Sequence, residues 1–236
     1  MRKEELLKSH NSKILRNSVI EDAYFKNHSK DELINKNTFS SGTTTVGLTC
    51  KDAVILATDK RATMAYFIAS KTAEKLHKIQ EHLYLTIAGS VADAQYLVDV
   101  LKAETTIYQL EKERPIPIKA AGRLLSNILY QHKMFPFQVG HILGGVTEEE
   151  GPIILDIGAY GSILPEKYVA VGSGQNFSFG VLEAKYKDDL NIEEGKKIAI
   201  QAVTSSIIRD MASGNGIDIA VIKKQGPAER DFLPIK

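Results

Sequence analysis

Ser40-Ser41-Gly42-Thr43-Thr44-Thr45-Val46-Gly47 runs from a junction of small residues straight into β-branched residues that open a strand. A cut between Gly42 and Thr43 would leave a threonine carrying its hydroxyl and a free amine on one carbon framework. An α-amino group titrates near neutrality, with a reference pKa of about 7.7 to 8.0, so it can act as the general base for its own hydroxyl. Alone, three threonines in a row are equally a β-rich strand start, and the rest of the chain decides.

Composition changes at the same point. All 17 glycines and all seven prolines lie at Gly42 or beyond, while the first 41 residues hold Asn11, Asn17, Asn27, Asn35 and Asn37 among many charges. Eight Lys and Arg against six Asp and Glu before Thr43 leave that segment at +2, hence the remainder at −1 of the total +1. Its few apolar residues cannot bury a core of their own. Residues 1–42 therefore read as a tail or as a removable pro-segment.

The whole chain has 236 residues, 43% apolar and 25% charged, which fits one soluble globular domain and excludes wholesale disorder. The near-zero net charge supplies no field for nucleic acid or an acidic membrane. No stretch reaches the roughly 18 apolar residues that span a bilayer, and the N-terminus has no signal-peptide core, so a cytoplasmic location is expected. Cys50 stands alone, which excludes an internal disulfide and a thiolate metal cluster. The six histidines show no metal spacing and read as surface or helix-end residues. There is no Walker loop, Rossmann fingerprint, HExxH or GxSxG, and no cofactor or metal is expected.

Beyond Thr43, periodicity predicts strands at Thr43–Thr49, Ala53–Thr58 and His82–Ala88. Two helices follow: one after Ser90 with Ala94, Leu97, Val98, Leu101 and Ile107 on a single face, and one over Ile118–His132. Strands at Val139–Val146, Ile153–Ile157 and Tyr168–Val171 come next, then helices at Phe177–Lys185 and Ile192–Met211, and a strand at Ile217–Ile222. Runs of strands followed by runs of helices argue α+β, with two antiparallel sheets packed together and helices on both outer faces. Thr43 to Lys224 reads as one domain, and Gln225–Lys236 as an extended tail.

Six ordered blocks then carry a specific resemblance: Gly42-Thr43-Thr44-Thr45-Val46-Gly47, Ala57-Thr58-Asp59-Lys60-Arg61-Ala62-Thr63, Ile68-Ala69-Ser70-Lys71 with Lys75, Ala88-Gly89-Ser90-Val91-Ala92-Asp93-Ala94-Gln95, Gly172-Ser173-Gly174, and Arg209-Asp210-Met211-Ala212-Ser213-Gly214. The sequence resembles a proteasome β subunit of the archaeal kind over essentially all of Thr43 to Lys224. The resemblance implies the four-layer α-β-β-α sandwich of N-terminal nucleophile hydrolases and a threonine endopeptidase of the 20S core. It implies that residues 1–42 are a propeptide, that 43–224 is the catalytic domain, and that the Gly42-Thr43 bond is cut autocatalytically.

By the same resemblance Thr43 is the nucleophile and Lys75 the active-site lysine that keeps the neighbouring amine in its proton-accepting form. Asp59, read as standing on a strand edge, orients Lys75. Ser173, Asp210 and Ser213 orient the amine and hydroxyl, and the Gly89 N–H donates to the oxyanion. Ala62, Ala73, Ile87, Val91 and Gln95 match the specificity pocket. None carries a charge, so an uncharged cavity that prefers large apolar residues before the scissile bond is expected. The implied partners are β subunits in a ring, with or without a second β paralogue, α-subunit rings, a regulatory ATPase reached through those rings, and unfolded polypeptides; no nucleic acid and no membrane are expected. The resemblance departs at two points: 42 residues is a long pro-segment for the archaeal kind, and Met64-Ala65-Tyr66-Phe67 lacks the glycine common after Arg-Ala-Thr, so that Tyr66 is expected to reshape substrate access. Two other readings remain at this stage, a structural β subunit processed and active only beside another β paralogue, and another N-terminal nucleophile hydrolase. Retention of Thr43, Asp59 and Lys75 argues against a permanently inert subunit.

Overall fold

The computed structural model describes residues 42–64 and 66–235; apart from Gly42, the expected pro-segment lies outside them. The described residues form one compact unit. Its first strands, β1 (Thr44–Thr49) and β2 (Ala53–Asp59), are buried along nearly their whole length. Burial on both faces explains why Ala53-Val54-Ile55-Leu56-Ala57 is a continuous apolar run and not an alternating one.

These strands lie in a five-stranded antiparallel sheet of order β10-β1-β2-β11-β12, completed by β10 (Tyr168–Gly172), β11 (Ile217–Lys223) and β12 (Glu229–Leu233). The second antiparallel sheet runs β5 (Leu76–Gln80), β6 (Leu83–Gly89), β7 (Val139–Thr147), β8 (Gly151–Ile157) and β9 (Ile163–Glu166). A small hairpin, β3 (Ala62–Met64) with β4 (Phe67–Ser70), stands apart from both.

Three apolar layers hold the stack together. Leu56, Ile142, Ile154 and Val169 pack between the two sheets. Val46, Ile55, Ala199 and Val203 seal the first sheet against α3 (Gln175–Lys185) and α4 (Ile192–Arg209). Leu85, Leu97, Leu125 and Leu143 seal the second against α1 (Val91–Lys112) and α2 (Ile118–Gln131). The result is the four-layer α-β-β-α sandwich expected from the sequence.

Local chemistry sets the helix ends that frame the site. Ser90 caps α1 by accepting from the Asp93 N–H, and Asn191 and Glu194 close a reciprocal capping box on α4. Asp210 is the C-cap of α4, so the loop carrying Asp210 and Ser213 begins where the helix stops.

Several expectations need correction. Ile107 is 49% exposed and off the buried face of α1, which carries Leu97, Val98, Leu101 and Thr105. The strands β3, β4, β5, β9 and β12 were not foreseen, because they are short or at edges and lack a clean apolar period. The expected tail contains β12, whose Val221↔Glu229 and Ile217↔Leu233 pairings add it to the first sheet; its charged Glu-Arg-Asp start suits an edge strand. Asp59 ends a central strand, not an edge one. His141 is no surface residue: it lies fully buried in β7. His77 is half-buried in β5.

Candidate active site

Thr43 lies just before β1 and is 2% exposed, with its Oγ1 donating to the Gly42 carbonyl oxygen at 2.8 Å. Its carbonyl accepts the Ser173 N–H at 2.8 Å, which ties it to the end of β10. Asp59, at the end of the next strand, is wholly buried and accepts four donors. Oδ1 takes the Thr44 N–H at 2.9 Å and Lys75 Nζ at 2.7 Å; Oδ2 takes the N–H groups of Arg61 and Gly214, each at 2.9 Å.

Lys75 Nζ also donates to the Arg61 carbonyl. Burial pushes this ammonium below the ordinary lysine value, and the Asp59 carboxylate opposes that push. The adjacent counter-ion favours the charged form and burial the neutral one. A lysine so balanced can exchange a proton more readily than a solvated one.

A second polar chain approaches Thr43 from the other side. The Thr43 N–H donates to Ser173 Oγ at 3.2 Å, and Ser173 Oγ donates to Asp210 Oδ2 at 2.6 Å. Ser213 Oγ donates to the same oxygen at 2.6 Å. Ser213 has thereby used its proton, so in the 2.7 Å pair between Thr44 Oγ1 and Ser213 Oγ the threonine is the donor. Asp210 Oδ1 accepts the Ala212 N–H at 3.2 Å. One carboxylate therefore orders two serines and the loop between them.

Gly89 closes β6 with φ +136°, and a Cβ there would stand 2.0 Å from the Gln138 carbonyl oxygen. Only glycine fits. Gly89, Thr43 and Lys75 line a cavity of about 660 Å³, together with all five residues of the expected pocket, Ala62, Ala73, Ile87, Val91 and Gln95. The expectation of an uncharged cavity is corrected, since Glu74, His77, Asp99 and Lys102 also line it. Glu74, Asp99 and Lys102 are exposed, so the charges belong to its open part, while Ile87 is 3% exposed. Tyr66 is 91% exposed and not among the lining residues.

All of Thr43, Asp59, Lys75, Ser173, Asp210, Ser213 and Gly89 thus converge on one region. Three contributors were missed in the sequence. Arg61 braces the loop after α4 through Nε to Asn215 Oδ1 at 3.0 Å and Nη1 to the Met211 carbonyl at 2.8 Å. Thr44 feeds the Ser213–Asp210 pair, and His77 lines the cavity. Arg61 and Thr44 did stand inside the matched blocks, but backbone acceptors and hydroxyl partners leave no mark in a linear pattern. Among the described residues no cluster of His, Cys, Asp and Glu could hold a metal ion.

Similarity to known proteins gives the family of the chain. A family profile described as "Proteasome subunit" matches residues 39–222. The chain is 49% identical to "Proteasome subunit beta" of Methanocaldococcus vulcanius over 186 residues, 78% of this chain and 83% of that protein. It is 46% identical to "Proteasome subunit beta" of Methanothermobacter thermautotrophicus over 190 residues, 80% of this chain and 90% of that protein. It is 44% identical to "Proteasome subunit beta 2" of Nitrosopumilus maritimus over 185 residues, 78% and 88% of the two chains. The profile takes in both polar chains that meet at Thr43, and the relatives align over most of their own length, so the chain belongs to the proteasome subunit family as a β subunit of the archaeal type.

Proposed function

We propose that this chain is a threonine endopeptidase subunit of a 20S proteasome core, made as a precursor that cuts its own Gly42-Thr43 bond. The observation that carries the reading is the buried Thr43 hydroxyl, 2.8 Å from the Gly42 carbonyl oxygen, beside the cavity that Thr43 lines with Lys75.

In the precursor, the Thr43 nitrogen is an amide and no base. Thr43 Oγ1 bonds to the Gly42 carbonyl carbon, and its proton passes to a neutral Lys75. The Gly42–Thr43 C–N bond then breaks, the nitrogen taking a proton from Lys75, and Gly42 is left as an ester on Oγ1. Water hydrolyses that ester, releasing a Gly42 carboxylate and a Thr43 with both amine and hydroxyl free. In substrate cleavage the free amine takes the hydroxyl proton and later returns it to the leaving amine. Asp59 holds Lys75, Ser173 with Asp210 and Ser213 holds the amine, and the Gly89 N–H receives the developing oxyanion.

Residues 1–42 are then a propeptide that masks the amine, and the mature chain runs from Thr43 for 194 residues (236 less 42). Buried Ala62 and Ile87, with half-buried Ala73, favour cleavage after Leu, Phe or Tyr. The site faces a chamber formed by β rings between α rings, in the cytoplasm, where unfolded polypeptide is fed by an ATPase acting through the α rings.

Intact mass of the assembled particle tests this reading, with hydrolysis of a fluorogenic peptide as the second measurement. Thr43→Ala should keep residues 1–42, lose turnover and still assemble, while Thr43→Ser keeps partial activity. Lys75→Arg should not restore turnover, because a permanently charged planar guanidinium cannot shuttle the proton. Substantial turnover by Thr43→Ala would move the nucleophile elsewhere.

A further inference from the structure

Gly42 disappears from the site once the bond is cut, yet it is held there by contacts of its own. Its N–H donates to Thr63 Oγ1 at 3.0 Å, a buried bond between residues 21 apart in sequence. On its other side a Cβ would stand 1.7 Å from Ala212 Cβ and 3.2 Å from Ser173 Oγ.

The need for such a hold follows from the residue. Glycine has the widest backbone freedom of any residue, and attack by Thr43 Oγ1 requires the Gly42 carbonyl carbon to be presented at one angle. A misplacement of about 1 Å costs on the order of a hundredfold in rate. The Ser173 N–H holds the Thr43 carbonyl beyond the scissile bond, and the partner before it is Thr63. The hairpin carrying Thr63 shifts register between Ala62 and Thr63, and a bulge of that kind re-aims a side chain. Ala62 and Thr63 are consecutive, yet 8% and 7% exposed, so one lines the cavity while the other reaches the scissile residue.

We infer that Thr63 is a positioning residue for self-cleavage: its hydroxyl oxygen, by accepting the Gly42 N–H, sets the scissile carbonyl in front of Thr43 Oγ1. The inference rests on the reading of Thr43 as the nucleophile. Thr63 takes no part in the proton transfers and forms no bond to the reacting atoms; it removes the rotational freedom that glycine brings.

The test follows intact mass over time in the full-length chain during assembly. Thr63→Val keeps the shape and loses the acceptor; removal of the 42-residue segment should slow about tenfold, the rate equivalent of one hydrogen bond. Thr63→Ser keeps the acceptor and should process within about threefold of the unmodified chain. A packing role would spare Thr63→Val, which keeps the shape, and slow Thr63→Ser, which loses the methyl; that result overturns the inference, as does normal processing in Thr63→Val. A second measurement reads the hold directly. In a Thr43→Ala particle, which retains the segment, amide exchange at Gly42 should accelerate on adding Thr63→Val while amides of β1 and β2 stay protected; unchanged exchange at Gly42 also overturns it. Cleavage of Thr43→Ala itself would sink the nucleophile reading, whereas an intact Thr43→Ala with a normally processed Thr63→Val sinks only the role of Thr63.

Discussion

Replacing Asp59 by Asn changes one oxygen to an amide NH2 at a position where every neighbour is a donor. If the NH2 takes the place of Oδ2, it faces the N–H groups of Arg61 and Gly214; if it takes the place of Oδ1, it faces the Thr44 N–H and Lys75 Nζ. No rotamer satisfies all four, and Asp59 is wholly buried, so water cannot substitute. Two buried donors left unpaired cost about 1 to 3 kcal/mol each, or about 2 to 6 kcal/mol together. For a domain of this size that lowers Tm by roughly 5 to 20 °C. Activity should fall further, because burial already disfavours the Lys75 ammonium and the variant removes its counter-ion. Loss of a positioned proton-transfer group reduces kcat/KM by roughly 10² to 10⁴. Differential scanning fluorimetry of the purified subunit and fluorogenic-peptide kinetics of the particle measure the two effects. A Tm within about 2 °C of the parent, with turnover reduced less than threefold, would refute the donor count and the role given to the pair.

Three further outcomes are expected. Gly42→Ala should yield an unprocessed precursor by intact mass, since a Cβ there would lie 1.7 Å from Ala212 Cβ; mature chain formed at the normal rate would contradict this. His141 is fully buried, and burial holds its pKa to about 4, against an ordinary 6.5. The unfolded chain therefore binds the proton first: the contribution is complete above pH 6.5 and is lost as pH falls towards 4, by about 3 kcal/mol in all. His141→Gln should flatten the dependence of Tm on pH across that window, and an unchanged slope would count against the buried neutral imidazole; His77, also lowered by burial, adds to the slope in the same direction. Ile87→Arg should weaken cleavage after Leu and Phe and improve cleavage after Asp and Glu, because it sets a cation in the apolar depth of the cavity; product sequencing of a digested unfolded protein reads the change, and parent-like products would refute the pocket assignment.

While the link among Thr43, Asp59 and Lys75 is what the family resemblance implies, the sequence alone determined the small-residue junction at Gly42-Thr43 and the α+β order. Those features are local, since strand and helix periods and the residues that punctuate them lie within a few positions of one another. Ala53-Val54-Ile55-Leu56-Ala57 was legible as a buried strand for that reason, whereas β5 and β12, whose residues mix Lys, His, Glu and Arg with apolar ones, were not. Only the tertiary structure decided that Asp59 carries four donors, that Thr44 supplies the proton in its pair with Ser213, and that Arg61 braces the loop carrying Asp210 and Ser213. It also decided that His141 lies in the core and that charges ring the open part of the cavity. The partners in each case come from strands and loops up to 170 residues apart, as with Thr44 and Ser213 at a separation of 169. Hydrogen bonds of that kind depend on sheet register and on where each backbone N–H points, and neither leaves a period in the chain.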